Sequence, residues 1–446
     1  MKPKKSENQV PQLQLFQTPL KSFLNRNHPL MVLAGQIDWS YFEDQFGSSF
    51  NDRGRPALPI RLVVALTYLK HTYDLGDEPL VEQFLENAYW QYFCGFEYFQ
   101  QEFPCEASSL VRWRQRIGEE GCQKLFNETL RLAHTKKILK ASHLKEVIVD
   151  TTVQEKNITH PTDAKLLHRM RQKLVKAAKA CGIRLRQSYT RVSKFLTFKQ
   201  SKYVHAKQYK RARKAIKKLK TILGRVMRDI ERKCENPDKK LKELLVLANK
   251  VLFQKKQTKN KIYSLHEPYV DCISKGKSHK PYEFGCKTSI VSTAQGNWVL
   301  GVNSFHGNPF DGHTLKKVTS QTEKNTGVTI ETIFADKGYR GSKNWPKGKM
   351  VLISGRRRLK ARLKKLLKRR SAIEPIIGHL KHDHRLSRNL LKGKLGDQLN
   401  GILAGAAFNF KKLIRHTQDF FVLIFLEHPD KKNPPSYLLT HLTNLK

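Results

Sequence analysis

Three acidic residues that lie far apart in the chain could together support metal-dependent chemistry. Asp150 and Asp336 each end an apolar run with the pattern of a buried strand, and Glu374 stands beside a helical pattern. Phosphodiester cleavage needs an activated oxygen nucleophile and stabilised charge on the attacking and leaving oxygens, which two divalent cations about 3.5–4 Å apart can provide. Mg²⁺ prefers oxygen ligands such as carboxylates. We therefore predict that these acids are catalytic and hold two Mg²⁺ or Mn²⁺ ions.

The neighbours of two of these acids could bind phosphate groups. Asp336 lies in the segment Ala-Asp-Lys-Gly-Tyr-Arg-Gly, and Glu374 is preceded by two arginines. The predicted phosphate-binding neighbours are Lys337, Tyr339, Arg340, Arg369, Arg370 and Lys381. Glu374 and Lys381 are two helical turns apart, and Gly378 between them leaves room for a nucleic-acid backbone. Pro375 fits best at the first position of this helix, which would make Glu374 its cap.

The segments that must position the acids read as strands and helices in a defined order. The predicted strands are 146–150, 281–292, 298–305, 328–336 and 349–354. The predicted later helices are 312–326, a helix that contains Ile376, and 395–414. This order predicts an α/β fold with a ribonuclease H-like mixed sheet, interrupted after its first strand by a long helical insertion. In α/β sheets the chemistry takes place at strand ends and in the loops beyond them.

The charge of the chain indicates a polyanionic partner. Lys and Arg number 84 against 38 Asp and Glu, a formal net charge of +46. Such a surplus repels itself unless a polyanion shares the surface, and double-stranded DNA would bind it through phosphate contacts. Residues 165–262 hold 32 Lys and Arg but only 5 Asp and Glu. Their apolar stripes predict packed helices, whose basic face is either a clamp for phosphates or a solvated surface.

A helical region precedes the first strand. Pro59 could open a helix, a second amphipathic stretch runs over 79–96, and a third begins after Pro104. Three short helices with a basic last member are typical of a small DNA-binding bundle, and a helical cap or dimerisation domain is the alternative. The arginines predicted to contact DNA are Arg112, Arg114 and Arg116.

These patterns predict five parts of the chain. They are an N-terminal arm (1–53), a helical DNA-binding or dimerisation domain (54–135), the catalytic domain (140–156 and 263–416), the basic insertion (157–262) and a C-terminal tail (417–446). The seven cysteines are scattered without a CxxC pair, which fits a reducing compartment. Without a secretory signal or a membrane span, we expect a cytoplasmic, nucleoid-associated protein with no membrane partner.

The residues around the third acid carry a resemblance to a known family. Arg370, Glu374 and Lys381 match the R-E-K part of the signature Y-x2-R-x3-E-x6-K, and Leu367 stands where the family has tyrosine. With the segments at 149–154, 280–285, 307–315, 335–341 and 369–381, the chain resembles bacterial insertion-sequence DDE transposases. The resemblance implies hydrolysis at the terminal inverted repeats of an insertion sequence, followed by attack of the freed 3′-hydroxyl on target DNA. Joining two ends implies a homodimer or a higher multimer.

Several residues near the acids receive other assignments. Asp311 is predicted to cap the helix that begins near Gly312, with a role as a reserve metal ligand as the alternative. A nearby histidine cluster, more suited to hydrogen bonding than to zinc, consists of His379, His382 and His384. Arg385 and Arg388 are predicted DNA contacts. A non-catalytic DNA-binding repressor and an RNA-binding or RNA-cleaving protein are the rival functions.

Overall fold

The computed structural model describes most of the chain. It covers residues 17–48, 50, 57–255, 257–274, 280–355 and 359–427, with side chains up to residue 419. Residues 1–16 of the predicted N-terminal arm and 428–446 of the predicted tail lie outside the described residues. Within the described part, no helix is both long and apolar enough to cross a membrane.

Helices occupy the described chain before the first strand. They are α1 Leu20–Phe23, α2 Pro29–Ala34, α3 Trp39–Gly47, α4 Ile60–Thr72, α5 Asp77–Glu86, α6 Ala88–Phe93, α7 Ala107–Thr135 and α8 Ala141–Leu144. Pro59 precedes α4 as predicted. Residues 20–47, assigned to the arm by composition, form three helices. Two of them pack into the main core, because α2 buries Leu33 and α3 buries Phe42.

The basic insertion folds as a helical unit with its own core. It contains α9 Asp163–Ala180, α10 Thr190–His205, α11 Tyr209–Lys233 and α12 Lys239–Phe253. The predicted apolar stripe of α11 is buried, including Leu219, Leu223 and Val226, and it packs with residues of α9 and α12. The lysines and arginines between these stripe positions lie mostly exposed on the opposite face.

A six-stranded mixed sheet forms the centre of the second half of the chain. Its strands are β1 Glu146–Glu155, β2 Asp271–Ser274, β3 Tyr282–Thr293, β4 Val299–Phe305, β5 Thr332–Ala335 and β6 Met350–Ile353. β3 lies between β1 on one side and both β2 and β4 on the other, all antiparallel to it. β1 is parallel to β5, and β5 is parallel to β6. The short strand β2 was not predicted.

Four later helices complete the fold. They are α13 Asp311–Thr326, α14 Ala361–Lys368, α15 Ile373–His382 and α16 Gly393–Glu427. α16 packs against β4, α4 and α7, so the N-terminal helices and the sheet share one core. Small residues of α16 allow this close packing. A Cβ on Gly405 would lie 2.9 Å from both Phe126 and Val302 side-chain atoms.

The first strand is longer than predicted. The apolar run at 146–150 predicts a strand that ends at Asp150, but β1 continues to Glu155. The parallel ladder to β5 stops at Ile148, whereas the antiparallel ladder to β3 continues through Glu155. Asp150 therefore lies inside β1, two residues beyond the end of its hydrogen-bonded ladder with β5.

A buried lysine joins the two ends of the insertion. The Lys156 Nζ, directly after β1, lies 2.6 Å from the Asp397 Oδ1 of α16 and 3.5 Å from the Glu267 Oε2 of the returning chain. All three side chains are almost completely buried. The exit and the return of the insertion are therefore held at one place on the sheet.

Candidate active site

Two of the predicted catalytic acids occupy equivalent positions on neighbouring strands. Ile148 of β1 pairs in parallel with Phe334 of β5, and each acid follows two residues later. Asp150 and Asp336 therefore each stand two residues beyond the last paired position of two neighbouring parallel strands, which lie about 4.8 Å apart where they pair. Residues two apart on a strand share a face of the sheet. The fold thus brings these two acids, far apart in sequence, to one place.

A third aspartate joins them. Asp311 begins α13, but its side chain does not cap that helix, so the predicted capping role is wrong. Its Oδ1 accepts hydrogen bonds from the Thr151 hydroxyl and the Lys287 ammonium, both at 2.9 Å. A Cβ built on Gly338 would lie 2.8 Å from the Asp311 Oδ2 and 2.9 Å from the Asp336 Oδ1. The two carboxylates thus approach each other across this glycine.

Tyr339 supplies a buried hydroxyl group to the same region. Its side chain is fully buried, so the predicted contact of Tyr339 with DNA phosphate is wrong for this structure. Burial raises the pKa of the Tyr339 phenol well above its ordinary value. The charges of three nearby carboxylates raise this pKa further; they belong to Asp150, Asp311 and Asp336. The hydroxyl makes no hydrogen bond of standard geometry within the described residues.

Glu374 stands apart from the aspartates. It lies in the first turn of α15, which packs against β1, and its side chain is 64% exposed. Its Oε1 is 3.8 Å from the Arg370 guanidinium. The helix begins at Ile373, so Glu374 is not its cap and Pro375 occupies the third position. Proline is tolerated there because the first four N–H groups of a helix have no partner within it.

The acids do not form a ready-made metal cluster. Among the described residues, no three His, Cys, Asp or Glu side chains are placed to hold one metal ion. The structure places Asp150 and Asp336 beyond the paired part of neighbouring strands and Glu374 apart on α15, so the predicted gathering of all three stays a prediction. Two carboxylates are nevertheless a sufficient protein contribution for Mg²⁺, which usually completes its shell with water and substrate phosphates.

Comparison with known proteins identifies the family. A family model described as "Transposase domain (DUF772)" matches residues 18–116, which lie in the helical region before β1. A curated Rhizobium meliloti protein, described as "Uncharacterized protein ORF8 in nfe locus", is 46% identical over 195 residues, 44% of this chain and 94% of that protein. The chain belongs to the bacterial transposases. No solved structure matches it. Family membership confirms the predicted resemblance to a bacterial insertion-sequence transposase, without its DDE type, and implies that the transposase binds DNA.

Most of the predicted phosphate-binding residues of the transposase are accessible around the acids. Lys337 and Arg340, on either side of the buried Tyr339, are exposed. Arg369 is exposed and its guanidinium lies 3.5 Å from the Asn297 side-chain oxygen. Lys381 is half-buried on α15.

The three arginines of α7 do not share one surface. Arg112 and Arg116 are exposed, and Arg116 lies over the Phe50 ring at 4.6 Å. Arg114 is 5% exposed and binds both carboxylate oxygens of Asp77, at 2.8 and 2.7 Å. Its predicted contact with DNA is therefore wrong for this structure, because an alternating arginine pattern on a helix turns the middle residue toward the core.

The basic and histidine residues after α15 have structural roles. The Arg385 guanidinium donates to the Asp74 carbonyl at 2.8 Å and is mostly buried, so only Arg388 of this predicted pair is exposed for DNA. His379 pairs with Asp383 at 2.7 Å. Burial lowers the pKa of His384 to about 4, and its Nδ1 lies 3.0 Å from the His71 carbonyl.

Proposed function

We propose that this protein is a DDE transposase that cuts DNA at the terminal inverted repeats of an insertion sequence. It would then join the freed 3′-hydroxyl ends to target DNA by two-metal phosphoryl transfer. The proposed catalytic residues are Asp150, Asp336 and Glu374. The observation that carries this proposal is that Asp150 and Asp336 each follow, by two residues, the last paired position of two neighbouring parallel strands.

The order of the strands supports the proposal. β4, β3, β1, β5 and β6 follow one another across the sheet, with β3 antiparallel to β1 and the last two strands parallel to it. This is the strand order expected for a ribonuclease H-like domain. The acids lie on the β5 side of β1, where parallel strands end and a substrate can approach.

The donor set suits divalent cations. Carboxylate oxygens of Asp336, directly after β5, and of Asp311, at the start of α13, lie 2.9 and 2.8 Å from the point where a Cβ on Gly338 would stand. Asp150 and Asp336 would hold Mg²⁺ or Mn²⁺, and Glu374 would join them from the first turn of α15. When bound, such ions would activate the attacking oxygen and stabilise the charge of the leaving oxygen.

The remaining residues would bind and orient DNA. Lys337, Arg340 and Arg369 are exposed beside the acids and can donate to backbone phosphates, which fixes the position of the scissile strand. The basic insertion would extend this contact along the duplex. Two element ends must be joined in one reaction, so the working complex would contain at least two copies of the chain.

A cleavage assay with single substitutions tests the proposal. The substrate is linear DNA that carries the terminal inverted repeats flanking the gene, in Mg²⁺ and in Mn²⁺. The variants are Asp150→Asn, Asp336→Asn and Glu374→Gln, and Glu331→Gln serves as a control because Glu331 is exposed and pairs with Lys145 far from the site. We expect each of the three variants to lose cleavage by a factor of at least about 10³ while retaining DNA binding.

The possible outcomes separate the rival functions. Full cleavage by all three variants would reject the assignment. Binding of the inverted repeats without nicking, by the unsubstituted protein in either metal, would instead indicate a DNA-binding repressor. Preference for RNA or an RNA–DNA hybrid in competition would favour an RNA-directed function. If only the two aspartate variants lose cleavage, Glu374 is not a catalytic residue. Because Glu374 is exposed and stands apart from the aspartates, its variant is the most informative of the three.

A further inference from the structure

We propose that Asp311 is a further acid of the active site and binds a divalent cation together with Asp336. The inference rests on the proposed function and adds a residue to it. Nothing in the local sequence requires this role, because Asp311 begins a helix and an acid is favourable there in any case. The contacts of its two carboxylate oxygens distinguish a metal ligand from an acid that only stabilises the start of the helix.

The first oxygen of Asp311 is held by the surrounding fold. Its Oδ1 accepts from the Thr151 hydroxyl of β1 and from the Lys287 ammonium of β3. Lys287 is itself fixed, since its Nζ also donates to the Pro309 carbonyl at 2.6 Å. Two strands of the sheet and the loop before α13 thus fix the orientation of this carboxylate. Such contacts from the surrounding shell are what orient a metal ligand.

The second oxygen of Asp311 points toward Asp336. The Oδ2 and the Asp336 Oδ1 lie 2.8 and 2.9 Å from the point where a Cβ on Gly338 would stand. Asp336 also accepts from the Gly338 amide at 2.7 Å, which fixes its carboxylate. Two oriented oxygens from different elements therefore face one small space that any other residue at 338 would fill.

An independent group points into the same place. The Tyr339 hydroxyl is buried beside the Ser289 hydroxyl of β3 and feels the charge of Asp311 as well as those of Asp150 and Asp336. Neither hydroxyl has a hydrogen bond of standard geometry within the described residues, which an ordered water or ion commonly explains. A cation with its water shell would satisfy the hydroxyl groups and the facing oxygens of Asp311 and Asp336.

Binding of Mn²⁺ to the full chain tests this assignment without using activity as the readout. Bound and free Mn²⁺ are separated by electron paramagnetic resonance in a titration of the metal alone. The variants are Asp311→Asn, Asp336→Asn and Gly338→Ala, with Glu331→Gln as the control. Thermal unfolding in chelator establishes that each variant is folded.

We expect Asp311→Asn and Asp336→Asn each to weaken Mn²⁺ binding by about tenfold or more. Gly338→Ala should weaken it comparably, because the new methyl group separates the two oxygens. Gly338 has no left-handed backbone conformation, so this variant carries the test if Asp311→Asn does not fold.

Two results would contradict the inference, and they differ from failure of the proposed function. Unchanged Mn²⁺ affinity in Asp311→Asn, with weaker binding in Asp336→Asn, would leave Asp311 a structural residue and the proposed function intact. If Asp311→Asn does not fold, unchanged affinity in Gly338→Ala has the same meaning. Absence of Mn²⁺ binding by the unsubstituted protein would count against both.

Discussion

Arg114 and Asp77 form a bidentate ion pair inside the helical region, with both guanidinium nitrogens within 2.8 Å of the carboxylate oxygens. Lys70 adds a third charge at 2.6 Å from the same carboxylate. Arg114 is therefore part of the folded core, although basic helix residues of a DNA-binding protein often contact DNA.

Removal of Arg114 should destabilise the protein without a direct effect on DNA contacts. Arg114→Ala leaves the buried Asp77 without its main partner, and we expect a loss of about 3–5 kcal/mol in the free energy of unfolding. Arg112→Ala, two residues away and exposed, should change it by less than about 0.5 kcal/mol. Urea denaturation measures both. Equal losses in the two variants would contradict the burial of Arg114.

The same carboxylate should make stability depend on acid pH. Burial alone would raise the pKa of Asp77, but Arg114 and Lys70 hold it at about 2, below the ordinary 3.8. Because the unfolded chain binds this proton more readily, the contribution is complete above pH 3.8 and is lost as the pH falls toward 2. Over this pH range the unsubstituted protein should lose about 2 kcal/mol of its free energy of unfolding that the Asp77→Asn variant does not lose. Urea denaturation at each pH measures both proteins. Parallel pH profiles would contradict the assignment.

The exposed lysines of α11 should contribute to the salt dependence of DNA binding. Lys214, Lys217 and Lys218 are exposed on the basic face of the insertion. If they bind phosphates, their joint replacement by Gln should reduce the slope of log K against log salt by about 0.9 for each lysine–phosphate interaction that is removed. Fluorescence anisotropy with duplex DNA measures the slope. The control is Lys145→Gln, an exposed lysine that pairs with Glu331.

An unchanged slope in the triple variant would identify the α11 face as a solvated surface. A weaker affinity at all salt concentrations, with the slope retained, would indicate an effect on folding instead. Circular dichroism of the variant distinguishes this case.

Gly378→Ala should separate stability from activity. A Cβ at this position in α15 would meet no atom within 4 Å, so the substitution should stabilise the helix by about 0.5–1 kcal/mol. If the glycine leaves room for the DNA backbone, cleavage should fall in the same variant. Gly47→Ala, also without neighbours, is the control for stability and should leave cleavage unchanged. Unimpaired cleavage by Gly378→Ala would show that the DNA backbone does not need the space left by this glycine.

Local patterns predicted the elements that carry the acids. The apolar runs before Asp150 and Asp336 identify strands, because burial on both faces leaves a continuous apolar signature. They could not show that β1 continues to Glu155, since residues 151–155 are mostly polar and their strand conformation depends on pairing with β3. The four-residue strand β2 has too little pattern to be recognised.

The side-chain environment was less predictable, because it depends on distant residues. Arg114 differs from Arg112 only through Asp77, which lies 37 residues earlier and is brought close by the packing of α5 on α7. Asp311 is oriented by Thr151, 160 residues away. A sequence pattern identifies residues able to perform chemistry, whereas these contacts decide which of them are free to do so.

The buried contact of Lys156 with Glu267 and Asp397 has a consequence for how such a chain can change. Since the long basic module leaves and re-enters the sheet at a single anchor point, its length and surface can vary while the acids keep their places. The insertion could be shortened or replaced by another segment if Lys156 and its partners Glu267 and Asp397 are kept. If the module binds DNA as proposed, its DNA binding and the chemistry of the acids can then diversify separately.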